Sequence, residues 1–273
     1  MRKRDSCRQR TVGNRTKRIM QIKFWGVRGS TPTPQPENLR YGGNTSCVEV
    51  RIGGHLYIFD CGTGFRILGK QLVNEFNDRP FHAHVFLSHF HWDHIQGIPF
   101  FWPLYNNKDN QFFFHSSNRA HKLQHALEDQ MSDPYFPVNM SEMKARRNFY
   151  DIEEGRLAFD DCVIQSKWLN HPQGCLGFRI ETEDKVMVYA TDNEPGHPVF
   201  DKNVRKLAEG ADVLIYDAQY LPDEYKAQKI GWGHSHWREG INIAMESGAK
   251  ELILFHHDPD HNEAASEGLE INL

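Results

Sequence analysis

A dense group of histidines with one aspartate follows a short apolar run near residue 87. The apolar run is His84-Val85-Phe86-Leu87, and the group is Ser88-His89-Phe90-His91-Trp92-Asp93-His94. Imidazole nitrogen and carboxylate oxygen are ligands of zinc and similar divalent metals, and a catalytic site leaves one coordination position open for water. We therefore predict a metal site, and the spacing of the four side chains suits two metals. The alternative is a polar surface loop in which histidines cluster by chance.

Four further acidic or imidazole side chains stand at or just beyond the ends of apolar segments. These are His171, Asp192, Asp217 and His256, after segments that end at Leu169, Ala190, Tyr216 and Phe255. A single residue of this kind is commonly a cap or a surface group. If the four strands run in the same direction, however, their ends meet at one edge of the sheets, where ligand-binding loops collect. The four side chains are therefore candidates for completing the metal site.

Hydrophobic patterning predicts a mixture of strands and helices around these residues. We predict strands over residues 21–25, 46–52, 55–60, 111–115, 162–169, 175–180, 185–190, 213–216 and 252–255, and helices over residues 65–76, 118–130, 200–209 and 237–247. A run of strands followed by alternating helices and strands occurs twice, which indicates two packed sheets with helices outside. The aromatic, proline-braced segment 131–138 is typical of a lid or pocket wall.

Composition argues against several classes of protein. A chain of 273 residues fits one large domain or two small ones, and 39% hydrophobic with 25% charged residues is ordinary for a globular protein. No apolar run approaches the roughly 18–20 residues that span a bilayer. The five cysteines are scattered and include no Cys-x-x-Cys pair. We therefore predict a cytoplasmic protein with no membrane segment, no disulfide framework and no thiolate zinc site.

Charge is distributed unevenly along the chain. Residues 1–18 hold eight Lys or Arg against one acid, which gives +7, so residues 19–273 carry −11 of the total −4. The basic segment lacks apolar periodicity and is typical of a disordered extension, here taken as residues 1–19. It is either a solvated tail, a consequence of start-site choice, or a contact for nucleic acid or an anionic surface. The acidic remainder is a poor match for a large polyanion.

The motifs of this chain resemble those of the metallo-β-lactamase fold superfamily of hydrolases. The resemblance covers roughly residues 20–262 and rests on five segments in the family's order: the His-x-His-x-Asp-His motif, Asp60-Cys61-Gly62-Thr63-Gly64, His171 with Gly177-Phe178, Thr191-Asp192 and Leu254-Phe255-His256. It implies an α/β (α+β) fold, a four-layer αββα sandwich of two mixed sheets flanked by helices. Residues 20–273 would form a single hydrolase domain, with a lid or insertion near residues 103–150.

The resemblance also implies roles for the candidate ligands. The first metal would be bound by His89, His91 and His171, the second by Asp93, His94 and His256, with Asp192 bridging and Asp60 orienting a ligand histidine. His257 is the alternative to His256, which we prefer because it directly follows the strand. Two divalent ions per chain are implied, Zn²⁺ by our preference, with Mn²⁺ or Fe²⁺ as alternatives because the ligands suit all three.

Two features of the motifs resemble the phosphodiesterase branch of the superfamily. His94 follows Asp93, and residue 192 is Asp rather than Cys. The segment Gly233-His234-Ser235 is similar to one in tRNA 3′-processing endonucleases and related cyclic-nucleotide phosphodiesterases, in which that histidine assists the leaving oxygen. The predicted catalytic residues are therefore Asp93, His234 and its partner Asp217, where those endonucleases carry glutamate. His236 is the alternative to His234.

We accordingly predict a di-metal phosphodiesterase that acts on a small phosphodiester, such as a cyclic nucleotide, through a metal-bridging hydroxide. The chain lacks the Gly- and Lys-rich arm with which the endonucleases bind tRNA, so nucleic acid is the second choice of substrate. Predicted substrate contacts are Arg28 and Asn44 for phosphate and Phe136 for a base, with Tyr135 and Trp102 as other stacking candidates. A tRNA 3′-end endonuclease, a thioester or lactone hydrolase and a metal-binding sensor stay open, and a homodimer is a family expectation.

Overall fold

The computed structural model describes residues 19–261 except 39, 78, 118, 120 and 121. The basic extension predicted over residues 1–19 therefore lies, apart from Ile19, outside the described residues. The described strands are β1 Met20–Gly26, β2 Cys47–Ile52, β3 His55–Phe59, β4 His82–Phe86, β5 Gln111–Ser116, β6 Arg146–Asp151, β7 Gly155–Ala158, β8 Val163–Leu169, β9 Cys175–Glu181, β10 Val186–Ala190, β11 Val213–Asp217 and β12 Glu251–Phe255. The α-helices are α1 Thr63–Phe76, α2 Trp92–Ile95, α3 Pro103–Asn106, α4 Leu123–Asp129, α5 Pro198–Ala208, α6 Pro222–Glu224 and α7 Trp237–Ser247.

Two six-stranded mixed sheets make up the centre of the fold. The first has the order β1-β2-β3-β4-β5-β6, and the second has the order β12-β11-β10-β9-β8-β7. Strands β1 to β3 pair antiparallel and β3 to β6 pair parallel. In the second sheet β7 to β10 pair antiparallel and β10 to β12 pair parallel. Strand β8 thus runs in the same direction as β10, β11 and β12, so the predicted polar residues after these strands share one edge.

Alternating apolar residues on the inner faces of the sheets form the core between them. The rings of Phe86, Phe178 and Tyr189 lie 5.5–5.7 Å from the ring of Phe59 and link the two sheets. All four side chains are fully buried. Full burial of one such side chain contributes about 1.5–3 kcal/mol relative to exposure, so this aromatic contact is a principal link between the layers.

Helices cover both outer faces. Phe65, Leu68 and Leu72 of α1 are spaced at helical intervals and are buried on the outer face of the first sheet. Leu207 of α5 and Ile243 of α7 are buried in a separate cluster on the outer face of the second sheet. The order of layers is therefore helix, sheet, sheet, helix, which confirms the predicted αββα sandwich.

The region predicted as a lid or insertion, residues 103–150, contributes two strands to the first sheet. These are β5 and β6, and sequence patterning missed β6 because most of its residues are polar and none is fully buried. The helix predicted over residues 118–130 is shorter and spans Leu123–Asp129. Residues 131–138, the proline-braced part, remain as a loop on the surface of the sheet. Among the described residues, the helices are too short or too polar to cross a membrane.

Candidate metal centre and the cleft beside it

The histidine-rich motif leaves the end of β4 and turns into the short helix α2. The backbone amide of Ser88 donates to a carboxylate oxygen of Asp60 at 2.7 Å, and the amide of Cys61 donates to the carbonyl of His94 at 2.7 Å. Both ends of the motif are thereby tied to the loop after β3. Because α2 begins after His91, the side chains of Asp93 and His94 lie on its first turn, while His89 and His91 precede it.

Three imidazoles converge at one side of this motif. Nδ1 of His91 lies 3.1 Å from Nε2 of His171, which follows β8. Nε2 of His89 is buried and has no hydrogen-bond partner among the residues that the structure describes. A buried imidazole nitrogen without a partner is costly unless something binds it. These three side chains form a group whose ligand atoms all lie within 4.8 Å of one another.

A second group adjoins the first. The Oδ2 atom of Asp93 lies 3.2 Å from Nε2 of His94 and 3.1 Å from Nε2 of His256, and the two histidine nitrogens are 3.3 Å apart. Asp192 stands between the groups. Its Oδ1 lies 3.7 Å from Nε2 of both His89 and His171, and its Oδ2 lies 3.4 Å from Nε2 of His94.

These distances fit two metal ions. Ligand atoms about 2.0–2.1 Å from a tetrahedral zinc are about 3.3–3.4 Å from one another, and the atoms of the two groups are separated by 3.1–3.7 Å. The residues present therefore suit two divalent ions, with Asp192 able to contact both. The structure brings all seven predicted ligands to one place and does not identify the metal.

Each of the five histidines uses its other ring nitrogen to contact an oxygen atom. The pairs are His89 Nδ1 with Ser88 Oγ at 3.0 Å, His91 Nε2 with Gln173 Oε1 at 3.1 Å, His94 Nδ1 with Asp60 Oδ2 at 2.8 Å, His171 Nδ1 with the Gly233 carbonyl at 2.8 Å and His256 Nδ1 with Gln219 Oε1 at 3.0 Å. Such partners fix the ring orientation and the tautomer of metal-binding histidines. The sequence indicated Asp60 for this role but missed Ser88, Gln173 and Gln219, which carry no distinguishing pattern.

The two acids of the centre stay ionised despite burial. Burial alone raises the pKa of Asp93, but the charges of His94 and His256 outweigh it and hold the pKa well below its usual range. The pKa of Asp192 is likewise well below its usual range, because His256, His94 and His89 outweigh the effect of burial. Burial lowers the pKa of His171 to about 4, which keeps this ring in the neutral form that binds metals.

Several residues in and around the metal centre have positive backbone φ angles. Positive φ angles at residues other than glycine occur at Ser30, Asp60, Gln173, Asp192 and His256, in addition to the α1 cap Asn77. The first five all contact the metal centre or its ligands. Such conformations cost about 1–3 kcal/mol each and cluster at functional sites, where surrounding contacts enforce them. At Gly233, a Cβ atom would lie 2.5 Å from Nδ1 of His171, so this close approach requires glycine.

The predicted pair of His234 and Asp217 lies next to the metal centre. Nδ1 of His234 lies 2.9 Å from Oδ2 of the fully buried Asp217, and its ring stacks on His256 at 4.8 Å between ring centroids. A cavity of about 460 Å³ is lined by His91, Asp93, Asp192 and His234 among others. The alternative residue His236 caps α7 instead, where its Nδ1 accepts a hydrogen bond from the amide of Glu239.

The loop that carries His234 is held by a carboxylate that sequence reasoning missed. Glu194 accepts hydrogen bonds from the amides of Gly231 at 2.6 Å and Gly233 at 2.8 Å and from the hydroxyl of Tyr225 at 3.3 Å. Because the carbonyl of Gly233 contacts His171, this loop connects a metal ligand with the His234 pair. The position of Glu194 two residues after Asp192 is the one sequence signal that points to it.

The predicted substrate contacts are not brought to the cavity above the metal ligands. Arg28 is buried, and its guanidinium donates hydrogen bonds to the carbonyls of Gly42 and His261. It therefore binds the backbone of neighbouring loops. Asn44 accepts a hydrogen bond from the Thr63 hydroxyl at 3.1 Å. Phe136 packs against the core and against Phe100. His257, the alternative metal ligand, packs against Tyr41 outside the metal centre.

A larger cleft of about 1130 Å³ opens beside the metal centre. It reaches the ligand His171 and the neighbouring Gln173, and its walls include Phe90, Trp92 and Tyr135. Phe90 and Trp92 also line the smaller cavity over the metal ligands. The two spaces therefore share a wall.

Comparison with known proteins gives the same picture of the fold. A family model described as beta-lactamase superfamily domain matches residues 55–257. Ribonuclease Z of Haloarcula marismortui is 24% identical to this chain over 91% of the chain and 89% of its own length.

Solved structures are similar along almost the whole length. The metallo-beta-lactamase fold protein YhfI of Bacillus subtilis has a TM-score of 0.68 and 19% identity, with 92% of this chain and 91% of that protein covered. A diphosphatase from the PhnP family has a TM-score of 0.68, 16% identity and 93% coverage of both chains. The short form of human tRNase Z has a TM-score of 0.61 and 21% identity, with coverage of 88% and 93%. At these identities the structures show the shared fold.

Proposed function

This chain belongs to the beta-lactamase superfamily, and from that premise we propose that it is a metal-dependent phosphodiester hydrolase. The observation that carries the proposal is the contact of 2.9 Å between His234 and Asp217 beside the two groups of metal-binding side chains. A phosphodiester needs charge neutralised at phosphorus and a proton at the leaving oxygen. This arrangement offers residues for both tasks.

Two divalent ions bound by the seven ligands would supply Lewis acidity that polarises the phosphoryl group and activates water. The rest of the chemistry belongs to the chain itself. With Nδ1–H of His234 directed at Asp217, the opposite nitrogen, Nε2, can donate a proton to the leaving oxygen as the P–O bond breaks. The buried carboxylate of Asp217 fixes the ring orientation and the tautomer of His234.

An RNA phosphodiester at a tRNA 3′ end is our first candidate substrate. Support comes from the relatives: proteins named ribonuclease Z match this chain over most of both lengths, and human tRNase Z has the same fold. This order reverses the preference that the sequence alone suggested, in which a cyclic nucleotide came first. The thioester, lactone and sensor alternatives gain no comparable support.

A small phosphodiester is the second candidate, and a specific observation favours it. The described residues that line the large cleft include one cation, Arg119, and one acid, Asp129. Proteins that bind long nucleic acids present many Lys and Arg to phosphates, and residues 19–273 carry a net charge of −11. The structural likeness to a diphosphatase is in keeping with a small substrate.

The test is a hydrolysis screen of the purified chain with defined metals. The substrates are bis(p-nitrophenyl) phosphate, cyclic mononucleotides and a tRNA precursor with a 3′ extension. We expect turnover of the nitrophenyl ester that is lost with a chelator and regained when Zn²⁺ or Mn²⁺ is returned. Unchanged turnover after complete metal removal contradicts the proposal. Relative rates on the precursor and the cyclic nucleotides decide between the two candidate substrates.

A further inference from the structure

Trp92 is an exposed aromatic residue in an unusual place. It lies between the metal ligands His91 and Asp93, and 79% of its side chain is exposed. Its two neighbours are directed to the metal centre, whereas the indole ring lines both the metal cavity and the large cleft. Tyr135, which is 83% exposed, lines the same cleft from the proline-braced loop. Large aromatic groups exposed at one cleft are typical of a ligand site.

The polarity of the cleft narrows the class of ligand. Its permanent charges among the described lining residues are Arg119 and Asp129, which balance each other, and its other polar groups include the amides of Gln96, Gln130 and Gln173. A phosphate chain needs an excess of cations, whereas a neutral heterocycle needs flat apolar faces and groups that both donate and accept hydrogen bonds. The lining of the cleft therefore suits a neutral heterocycle better than a phosphate chain.

The connection between the two cavities indicates how such a ligand would lie. Gln173, in the cleft wall, contacts the ligand His91 at 3.1 Å, and Trp92 is shared by both cavities. A group in the cleft therefore lies next to a phosphate at the metal centre. A volume of about 1130 Å³ is ample for a nucleoside.

We propose that the cleft is a nucleobase site, in which the base attached to the scissile phosphate stacks on Trp92 and Tyr135. This inference rests on the proposed function and adds the recognition of one base by aromatic contact. Of the stacking candidates predicted from sequence, Tyr135 lines this cleft, whereas Phe136 is partly buried against the core. The base belongs either to a free nucleotide or to the end of an RNA strand.

Two esters with the same leaving group test the proposal. Thymidine 5′-(p-nitrophenyl phosphate) carries a base, and methyl p-nitrophenyl phosphate does not. In Trp92→Ala and Tyr135→Ala we expect kcat/KM for the thymidine ester to fall about tenfold more than kcat/KM for the methyl ester, because loss of base stacking affects only the ester that carries a base. Trp92→Phe keeps an aromatic face and should retain most of the affinity. Trp102→Ala, an exposed tryptophan outside the lining of the cleft, is the matched control.

Equal losses on both esters, or no loss on either, would overturn the nucleobase site. A direct binding measurement separates this result from failure of the proposed function. If the chain hydrolyses neither ester yet binds thymidine 5′-monophosphate in equilibrium dialysis, and both alanine variants weaken that binding about tenfold, the site stands and the phosphodiesterase proposal fails. If both esters are hydrolysed but the monophosphate binds equally to all variants, the site fails and the phosphodiesterase proposal stands.

Competition identifies the source of the base. Thymidine 5′-monophosphate and a single-stranded RNA trinucleotide are compared as inhibitors of methyl ester hydrolysis by the unaltered chain and by Tyr135→Ala. Stronger inhibition by the trinucleotide, weakened in the variant, supports a base at the end of an RNA strand. Stronger inhibition by the monophosphate, weakened in the variant, supports a free nucleotide. Absence of inhibition by both overturns the site.

Discussion

At the scale of single residues, the proposed proton transfer to the leaving oxygen depends on His234. The contact with Asp217 at 2.9 Å leaves one ring nitrogen to serve the leaving group. We predict that His234→Ala lowers kcat about 10²–10⁴-fold on esters with alkoxide leaving groups, because these need a proton. The loss should be below about tenfold on bis(p-nitrophenyl) phosphate, because nitrophenolate leaves without one. His197→Ala, at an exposed histidine, is the control, and equal losses on both ester types would contradict the role.

Asp192 presents a different test at the same scale, because its two oxygens face both groups of ligands. In Asp192→Asn we expect activity to fall at least about 100-fold, and the metal retained after dialysis to fall from about two ions per chain to one or none. Elemental analysis of the dialysed protein measures this directly. Asp184→Asn, at an exposed turn, should retain both metal and activity. If Asp192→Asn retains about two ions per chain after dialysis, the proposed bridging role of Asp192 is wrong.

At the scale of elements, the loop 231–234 joins the candidate metal ligand His171 to the His234 pair. Glu194 holds it through the amides of Gly231 and Gly233. In Glu194→Gln one carboxylate oxygen becomes an amide that cannot accept, so one of these two bonds is lost at a cost of about 1–3 kcal/mol. We predict that kcat falls about tenfold on alkoxide leaving groups with a small change in KM, and that nitrophenyl esters are much less affected.

The dependence on the leaving group distinguishes positioning from general destabilisation. A variant that only unfolds more easily should lose activity on all esters in the same proportion. Glu209→Gln, at an exposed residue after α5, provides the matched control. A uniform loss in Glu194→Gln, tracking a lower melting temperature, would show that Glu194 acts through stability alone.

At the same scale, some parts of the site and the fold could be predicted from the sequence and others could not. The convergence of the candidate metal ligands His171, Asp192 and His256 could be predicted, because each follows the end of an apolar segment and the ends of strands that run in one direction meet at one edge of a sheet. Strand β6 could not be predicted, because Arg146, Arg147 and Asn148 show no apolar alternation, and the strand forms through backbone pairing with β5. Gln219 and Glu194 act through contacts with distant segments of the chain, which no local pattern reveals.

At the scale of the whole molecule, a pair of histidines lies in the layer between the sheets, on strands β4 and β5. Nδ1 of His84 lies 3.1 Å from Nε2 of His115, and the pair stacks against Phe113, Phe86 and other aromatic rings. Burial, with the neighbouring His82 and His55, lowers the pKa of His84 to about 4. Burial, with His84, lowers the pKa of His115 to about 3. Both rings are therefore neutral in the folded protein at neutral pH.

These pKa values make folding sensitive to acid. An unfolded histidine has a pKa near 6.5, so below about pH 6.5 the unfolded chain binds more protons than the folded one, and stability falls as the pH falls toward 4 and 3. Because His84 is partly accessible to solvent, we expect the pair to account for on the order of 1–2 kcal/mol of the loss between pH 7.5 and pH 5. The remaining loss belongs to other groups, including those of the metal centre.

Replacing both histidines by phenylalanine should remove this part of the acid sensitivity. The substitution removes both partners of the His84–His115 contact and keeps ring-shaped side chains in an aromatic environment, so stability at pH 7.5 should change little. Urea unfolding of the unaltered chain and of the double variant at pH 7.5 and pH 5 gives the difference between the two losses, in which the contribution of the metal centre cancels. His197→Phe, at an exposed position, should leave the loss unchanged. An equal loss of stability in the double variant would show that this pair does not contribute to the acid sensitivity of the fold.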